Sequence, residues 1–167
     1  MENTITTELQ KSTLSLHGNT KVVENINNKQ KALLTLITIK SGEIISKFKA
    51  GITQSNATYL TVQIGIDTHI TLQPEHLQYI NHSCNPNVFF KTTTMELIAL
   101  KDIQSNEELT FFYPSTEWEM VQPFVCNCGS NNCLKIINGA ANLSQADIGK
   151  YGFTNFIQSQ FQLKELA

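Results

Sequence analysis

The sequence predicts a mainly β domain closed by a C-terminal helix. Three observations lead there. Its apolar stretches are short and rich in Val, Ile, Thr and Phe, the composition that fits a pleated, half-buried surface. Turn-forming clusters of Gly, Asn, Pro and Ser recur at close intervals between them. There is no alternation of strand and helix of the kind that builds parallel sheets, and little helical pattern before the C-terminal end. A chain of 167 residues suits one domain around one core. Its apolar content of 41% is that of a folded protein.

Taken in order, Leu14-Ser15-Leu16 alternates and reads as a short lead-in strand, ended by the turn His17-Gly18-Asn19. Asn25 to Gln30 is a polar loop. Ala32 to Ile39 is apolar and β-branched, a buried strand; after the turn Lys40–Glu43, Ile44 to Phe48 is another, and the two read as a hairpin-like pair. Thr58 to Ile64 alternates, and His69 to Leu72 is a short strand beyond a turn near Asp67. Pro74 to Ile80 fits one or two helical turns with Pro at the start. His17, His69 and His76 have no ligand-spaced companion and read as structural. Val88-Phe89-Phe90 and Glu96 to Leu100 are strands joined by a turn at Thr92–Thr94, and Leu109 to Tyr113 is a strand stopped by Pro114. Ser115 to Pro123 is a linker. Ser144 is placed to cap a C-terminal helix, with Leu143 as its staple and Ile148, Phe156, Ile157 and Phe161 along one face.

Composition narrows function. The net charge is −2 and all 12 basic residues are lysine. Bidentate arginine contacts to phosphates or base edges are absent and no basic cluster replaces them, so nucleic-acid binding is not expected. The start, Met1 to Thr4, lacks a charged, apolar leader pattern, and no apolar run approaches the roughly 20 residues that cross a bilayer. The expectation is a soluble, intracellular protein with no membrane partner, cytoplasmic, or nuclear in a eukaryote. The acidic residues Glu107, Glu108, Glu117 and Glu119 read as a solvated surface.

The chemistry-bearing residues lie in two places. The run Asn81-His82-Ser83-Cys84-Asn85-Pro86-Asn87 is a bend rich in donors and acceptors. Further on, Cys126-x-Cys128-x4-Cys133 is a tight chelating loop, and Cys84 is the only remaining cysteine of the 4. One four-thiolate zinc site closes the count. The alternatives are two disulfides, disfavoured in a reducing compartment, or unrelated free thiols, disfavoured by the spacing.

With these residues in view, the chain resembles the SET-domain family of S-adenosylmethionine-dependent protein-lysine methyltransferases. Gly42-Glu43-Ile44-Ile45 is similar to the family's "GE-x-I" turn, Asn81 to Asn87 matches "NHSCxPN", Glu108 to Tyr113 resembles "ELT[YF]DY", and Phe124 to Cys133 resembles the post-SET "CxCGSxxC" module. The resemblance implies small curved sheets of the β-clip kind with a pseudoknot that sets the "NHSC" and "ELTxxY" segments side by side. It divides the chain into a lead-in (1–20), a SET domain (21–115), a linker with a post-SET zinc module (116–139) and the C-terminal helix (140–167). It implies methyl transfer from S-adenosylmethionine to a lysine of a protein or peptide. Asn81 and His82, with the backbone at Lys31 and Ala32, would contact the cofactor. Tyr113 would stand beside the transferring methyl, and Phe111 would influence how many methyl groups are added. Phe90 could wall the lysine channel or simply fill the core. Cys84, Cys126, Cys128 and Cys133 would hold one structural Zn²⁺.

The chain departs from the family's pattern at three points. Gln30-Lys31-Ala32 stands where the family has Gly-x-Gly, Phe112 replaces the usual Asp, and the segment between Phe48 and Asn81 is short. These departures keep an alternative open: a catalytically degenerate, zinc-stapled module used for protein binding.

Overall fold

The computed structural model describes residues 11–166; the Met1–Thr4 stretch and Ala167 lie outside the described residues. Strands β1 (Lys11–His17), β2 (Thr20–Asn25) and β3 (Lys31–Thr35) form an antiparallel meander, its first turn made by Gly18 at φ 56°. β3 is covered on both faces: Leu33 points into the main core, while Ala32 and Leu34 pack on Val23. That explains its unbroken apolar run, since only a strand exposed on one face alternates.

β3 is shorter than the sequence suggests and has a different partner. Thr35 ends it: its hydroxyl donates to Ile37 O (2.8 Å) and accepts from Ile37 N–H (3.2 Å), a side-chain turn that competes with the ladder. Ile39 is buried but makes only an isolated bridge to Ile103. The expected hairpin with β4 (Ile44–Lys47) does not form. β4 pairs with β10 (Glu96–Ala99), which also pairs with β9 (Val88–Lys91). The Gly42-Glu43 turn itself is bonded to Ala99, which carries the chain away from β3. A third sheet joins β5 (Lys49–Gln54), β7 (Thr68–Gln73) and β6 (Thr61–Gly65); β5 was not foreseen. Pro74 precedes a 3₁₀ turn, Glu75–Tyr79. The main core runs through Leu33, Phe48, Ile70, Leu77, Ile80, Phe90, Leu97, Ile103 and Leu109.

The C-terminal segment folds as two helices rather than one. Ser144 caps α1 (Gln145–Ile148), whose Asp147 N–H donates to the Ser144 hydroxyl (3.1 Å). The chain then breaks through Gly149 and Gly152, and Thr154 caps α2 (Asn155–Glu165). Among the described residues no helix is long and apolar enough to cross a membrane. Phe153, Ile157 and Phe161 pack with Trp118 and Phe112 in a second core.

This packing accounts for the replacement of the usual Asp. Phe112 is buried at 2% exposure and stacks on Tyr151, ring centroids 3.7 Å apart. A carboxylate there would lose the stack and gain no partner. Phe112→Asp is expected to cost at least about 3 kcal/mol, read from denaturant midpoints; a loss below about 1 kcal/mol would show that the ring is not the anchor.

Candidate active site and metal centre

The polar bend and the strand before Tyr113 lie side by side. β8 (Asn81–His82) runs parallel to β11 (Thr110–Phe111), with Asn81 opposite Thr110 and His82 opposite Phe111. Pairing continues past β8: Ser83 N–H donates to Phe111 O and Asn87 N–H to Thr110 O, both at 3.0 Å. The buried Asn87 side chain completes the stitch. Its Oδ1 accepts from Thr110 N–H (2.8 Å) and its Nδ2 donates to Glu108 O (2.8 Å).

This register brings His82 to Tyr113, whose N–H donates to His82 Nδ1 at 3.1 Å. An accepting Nδ1 leaves the proton on Nε2, 3.4 Å from Cys84 Sγ. Burial pushes the imidazole pKa down to about 4, so His82 is neutral. Burial, reinforced by the charge of Glu108, pushes the Tyr113 phenol up to about 12. Tyr113 therefore presents a hydroxyl, and its bond to Ile80 O is long at 3.5 Å.

Two clefts meet at this tyrosine. The first, about 630 Å³, is lined by Gln30, Asn81, His82, Glu108, Thr110 and the Phe124–Cys128 segment. The second, about 550 Å³, is mostly apolar, with Leu60, Val62, Leu77, Ile80, Phe111 and Met120 in its lining. Tyr113 and Phe124 belong to both, their ring centroids 6.0 Å apart. Both volumes fall within the roughly 300–1,000 Å³ of small-molecule sites.

The wall between the clefts and the thiol cluster is continuous. β12 (Phe124–Val125) and β13 (Ile136–Ile137) form a short ladder, extended by Cys126 N–H to Lys135 O (2.7 Å). The loop they enclose carries Cys128 and Cys133, and Cys84 completes the group: all four Sγ atoms lie within 4.8 Å of one another. Cys84 and Cys126 are 3.9 Å apart, against about 3.8 Å for sulfurs on a tetrahedral zinc with 2.3 Å bonds. All four cysteines are unbridged, the arrangement a shared metal site requires. Leu134 N–H donates to Cys84 Sγ (3.4 Å), and the Cys84 carbonyl accepts from Tyr151 Oη (2.9 Å) and Asn132 Nδ2 (2.8 Å). The donor set fits a structural metal ion with its supporting bonds in place.

The SET domain family model matches residues 7–114. The chain belongs to the SET-domain family. Methyltransferase flvH of Aspergillus flavus is 37% identical over 135 residues, spanning 80% of this chain and 75% of that protein. The H3 lysine-4 specific histone-lysine N-methyltransferase of Aspergillus oryzae is 37% identical over 68 residues, 36% of this chain and only 6% of that much longer protein. A crystal structure of KRYPTONITE in complex with mCHG DNA and SAH superposes with a TM-score of 0.52 at 22% identity, over 66% of this chain and 27% of that one, a likeness of fold.

Within this SET domain the residues singled out from sequence fall into distinct places. Asn81, His82 and Tyr113 line the first cleft, and Phe111 and Tyr113 the second. The Lys31 carbonyl accepts from Asn81 Nδ2 (2.9 Å), so this peptide supports β8. Asn81 Nδ2 donates also to Glu108 Oε1 (2.9 Å). Ala32 is buried against Val23 and Leu34, away from the clefts; of the Gly-x-Gly replacement, Gln30 is the residue at the cleft. Phe90 lines neither cleft. It is fully buried, 4.9 Å from Phe111 between ring centroids, and backs that ring from the core. Sequence reasoning assigned no role to Asn87 or Phe124, marked Gln30 only as a departure from the family's cofactor motif, and read Glu117 as solvated surface. The structure corrects the last: Glu117 is buried at 8% exposure in the second cleft. Nothing in an acidic, linker-like stretch signals that.

Proposed function

We propose that the protein is an S-adenosylmethionine-dependent methyltransferase that modifies a lysine side chain of a protein or peptide, with one structural zinc and with neither nucleic acid nor membrane as partner. The observation that carries this is the meeting of two clefts at one neutral tyrosine hydroxyl. The cofactor belongs in the first cleft, against Asn81, His82 and the backbone at Lys31, and the acceptor amine in the second. When bound, S-adenosylmethionine supplies an electrophilic methyl group on a sulfonium. The chain's own task is orientation and the delivery of an uncharged amine. Phe111, Tyr113 and Phe124 exclude water along the approach, which lowers the amine's pKa from its ordinary value near 10.4. The Tyr113 hydroxyl directs the lone pair. Cys84, Cys126, Cys128 and Cys133 would hold zinc and so fix Phe124 at the junction.

A second reading, a non-catalytic binding module, rests on Gln30 at the edge of the cofactor cleft. Calorimetry of S-adenosylmethionine with zinc-loaded protein separates the two. The expected dissociation constant is on the order of micromolar; no binding up to millimolar cofactor favours the module. Labelled methyl transfer to a panel of Lys peptides, against Lys→Arg versions, then tests the acceptor. With Phe111 carrying no hydroxyl to restrict the amine, di- or trimethylated product is expected; a purely monomethylated one would remove that role from Phe111.

A further inference from the structure

The acceptor cleft contains one carboxyl in an otherwise uncharged lining. Glu117 is fixed relative to Tyr113: its N–H and that of Thr116 both donate to Tyr113 O (3.1 Å). From the other side Ala140 N–H donates to Glu117 O (2.9 Å). That approach depends on Gly139, at φ 104°, where a Cβ would lie 2.6 Å from Trp118 O and 2.8 Å from Glu119 Cα.

The carboxyl itself is half satisfied. Oε1 accepts from Gln63 N–H (2.9 Å) and from the Thr116 hydroxyl (3.4 Å). Oε2 accepts no hydrogen bond from the described residues; the nearest candidate, His69 Nδ1 on β7, is 3.9 Å away and is itself buried without a partner. His69 does not supply a counter-charge, because burial lowers its pKa against the opposing pull of Asp67. No lysine lies within ion-pair distance of Glu117 among the described residues. Burial pushes the Glu117 pKa up to about 8 in spite of its two hydrogen bonds, so at neutral pH it is mainly protonated. Oε2 is not among the fully buried atoms left without a partner, which are His69 Nδ1 and Ser115 Oγ, so it keeps access to the cleft, where a cationic donor can reach it.

We propose that Glu117 is a specificity-determining group of the acceptor cleft, its Oε2 receiving one cationic N–H donor of the bound methyl acceptor. The inference rests on the methyltransferase reading of that cleft. It adds a substrate class: an amine carried on a largely apolar body, with one cationic donor to present. A polybasic chain finds only one partner here, because no other carboxylate lines the cleft and Glu119 is solvent-exposed. The amine arrives as its ammonium and draws Glu117 into its ionised form, so binding near neutral pH releases a proton; before transfer the ammonium passes one proton to the Glu117 carboxylate, which leaves the uncharged amine that methyl transfer requires.

Calorimetry tests this without needing the natural substrate. Zinc-loaded protein is titrated at pH 7 with n-butylamine, and with n-butanol as the neutral isostere, in two buffers of different ionisation enthalpy. Butylamine is expected to bind with release of close to one proton, and butanol with none. In Glu117→Gln, amine affinity falls by about tenfold or more, the proton release disappears, and butanol binding stays within about twofold. Absence of amine binding, a release that survives in Glu117→Gln, or equal losses for amine and alcohol would each overturn the proposal. Carbon-13 NMR of carboxyl-labelled wild type gives a reading independent of the variant's folding: the carboxyl titrating near pH 8 should move below 7 on adding butylamine, and one that stays in place counts against it. S-adenosylhomocysteine affinity is measured alongside. Its absence sinks the methyltransferase reading itself, whereas its presence without Glu117-linked proton release sinks only this inference.

Discussion

Cys84→Ser is expected to reduce bound zinc to well below one per chain and to loosen the Phe124–Ile137 hairpin. A serine oxygen is a poor substitute for a thiolate at a tetrahedral site, and the three thiols that remain all belong to one small loop. Cys84 is fully buried, takes the Leu134 N–H on its sulfur, and holds Tyr151 and Asn132 on its carbonyl. It would therefore be the one ligand that ties the loop to the central bend. Structural zinc contributes on the order of 10–16 kcal/mol to folding in small zinc modules, so loss of one ligand should cost several kcal/mol locally. Metal analysis together with thermal melts, with and without chelator, reads the effect. Because Phe124 to Cys128 line the first cleft, cofactor affinity should fall in the same variant. Retention of one zinc per chain would show that Cys84 is not the fourth ligand.

Why the centre was legible before the fold is a matter of chemistry against geometry. Three closely spaced thiols with one more to complete a set of four, and a seven-residue polar run with a fixed order of functional groups, carry their meaning locally. Strand pairing does not. Ile44–Lys47 pairs with a strand some fifty positions later rather than with its neighbour, and only the hydrogen bonds of Gly42 and Glu43 to Ala99 reveal that. The break between α1 and α2 runs through Gly152, a residue ill-suited to a helix interior, yet the Thr154 cap went unseen because the apolar stripe runs straight through it. Glu117 shows the opposite failure. An isolated acid looks like surface from sequence, and only the burial of its neighbours on β6, β7 and the 139–140 turn makes it unusual. Phe112 falls between: its mismatch with the family was visible, and its cause, a stack on Tyr151, was a tertiary contact.

Tyr113→Phe is expected to abolish most turnover while leaving the fold and the cofactor site intact. The ring contacts to Phe111 (4.7 Å between centroids) and Phe124 (6.0 Å) need no hydroxyl. The bond that fixes His82 comes from the Tyr113 backbone, so it too survives. What is lost is a single hydroxyl at the junction of the clefts, whose one internal bond is long enough to be exchanged for a contact with the acceptor amine. Loss of one such directing group costs about 10²–10³ in kcat elsewhere. Labelled methyl transfer to the best peptide of the panel should show a fall of that order, with the S-adenosylmethionine dissociation constant within about threefold of wild type. The pH profile adds a second condition. A phenol held up at about 12 does not ionise in the working range, so the rise of kcat/KM with pH belongs to the amine and to Glu117, not to Tyr113, and should keep its midpoint in the variant. A variant whose kcat stays within about threefold of wild type, or whose rising limb vanishes, would take the directing role away from Tyr113.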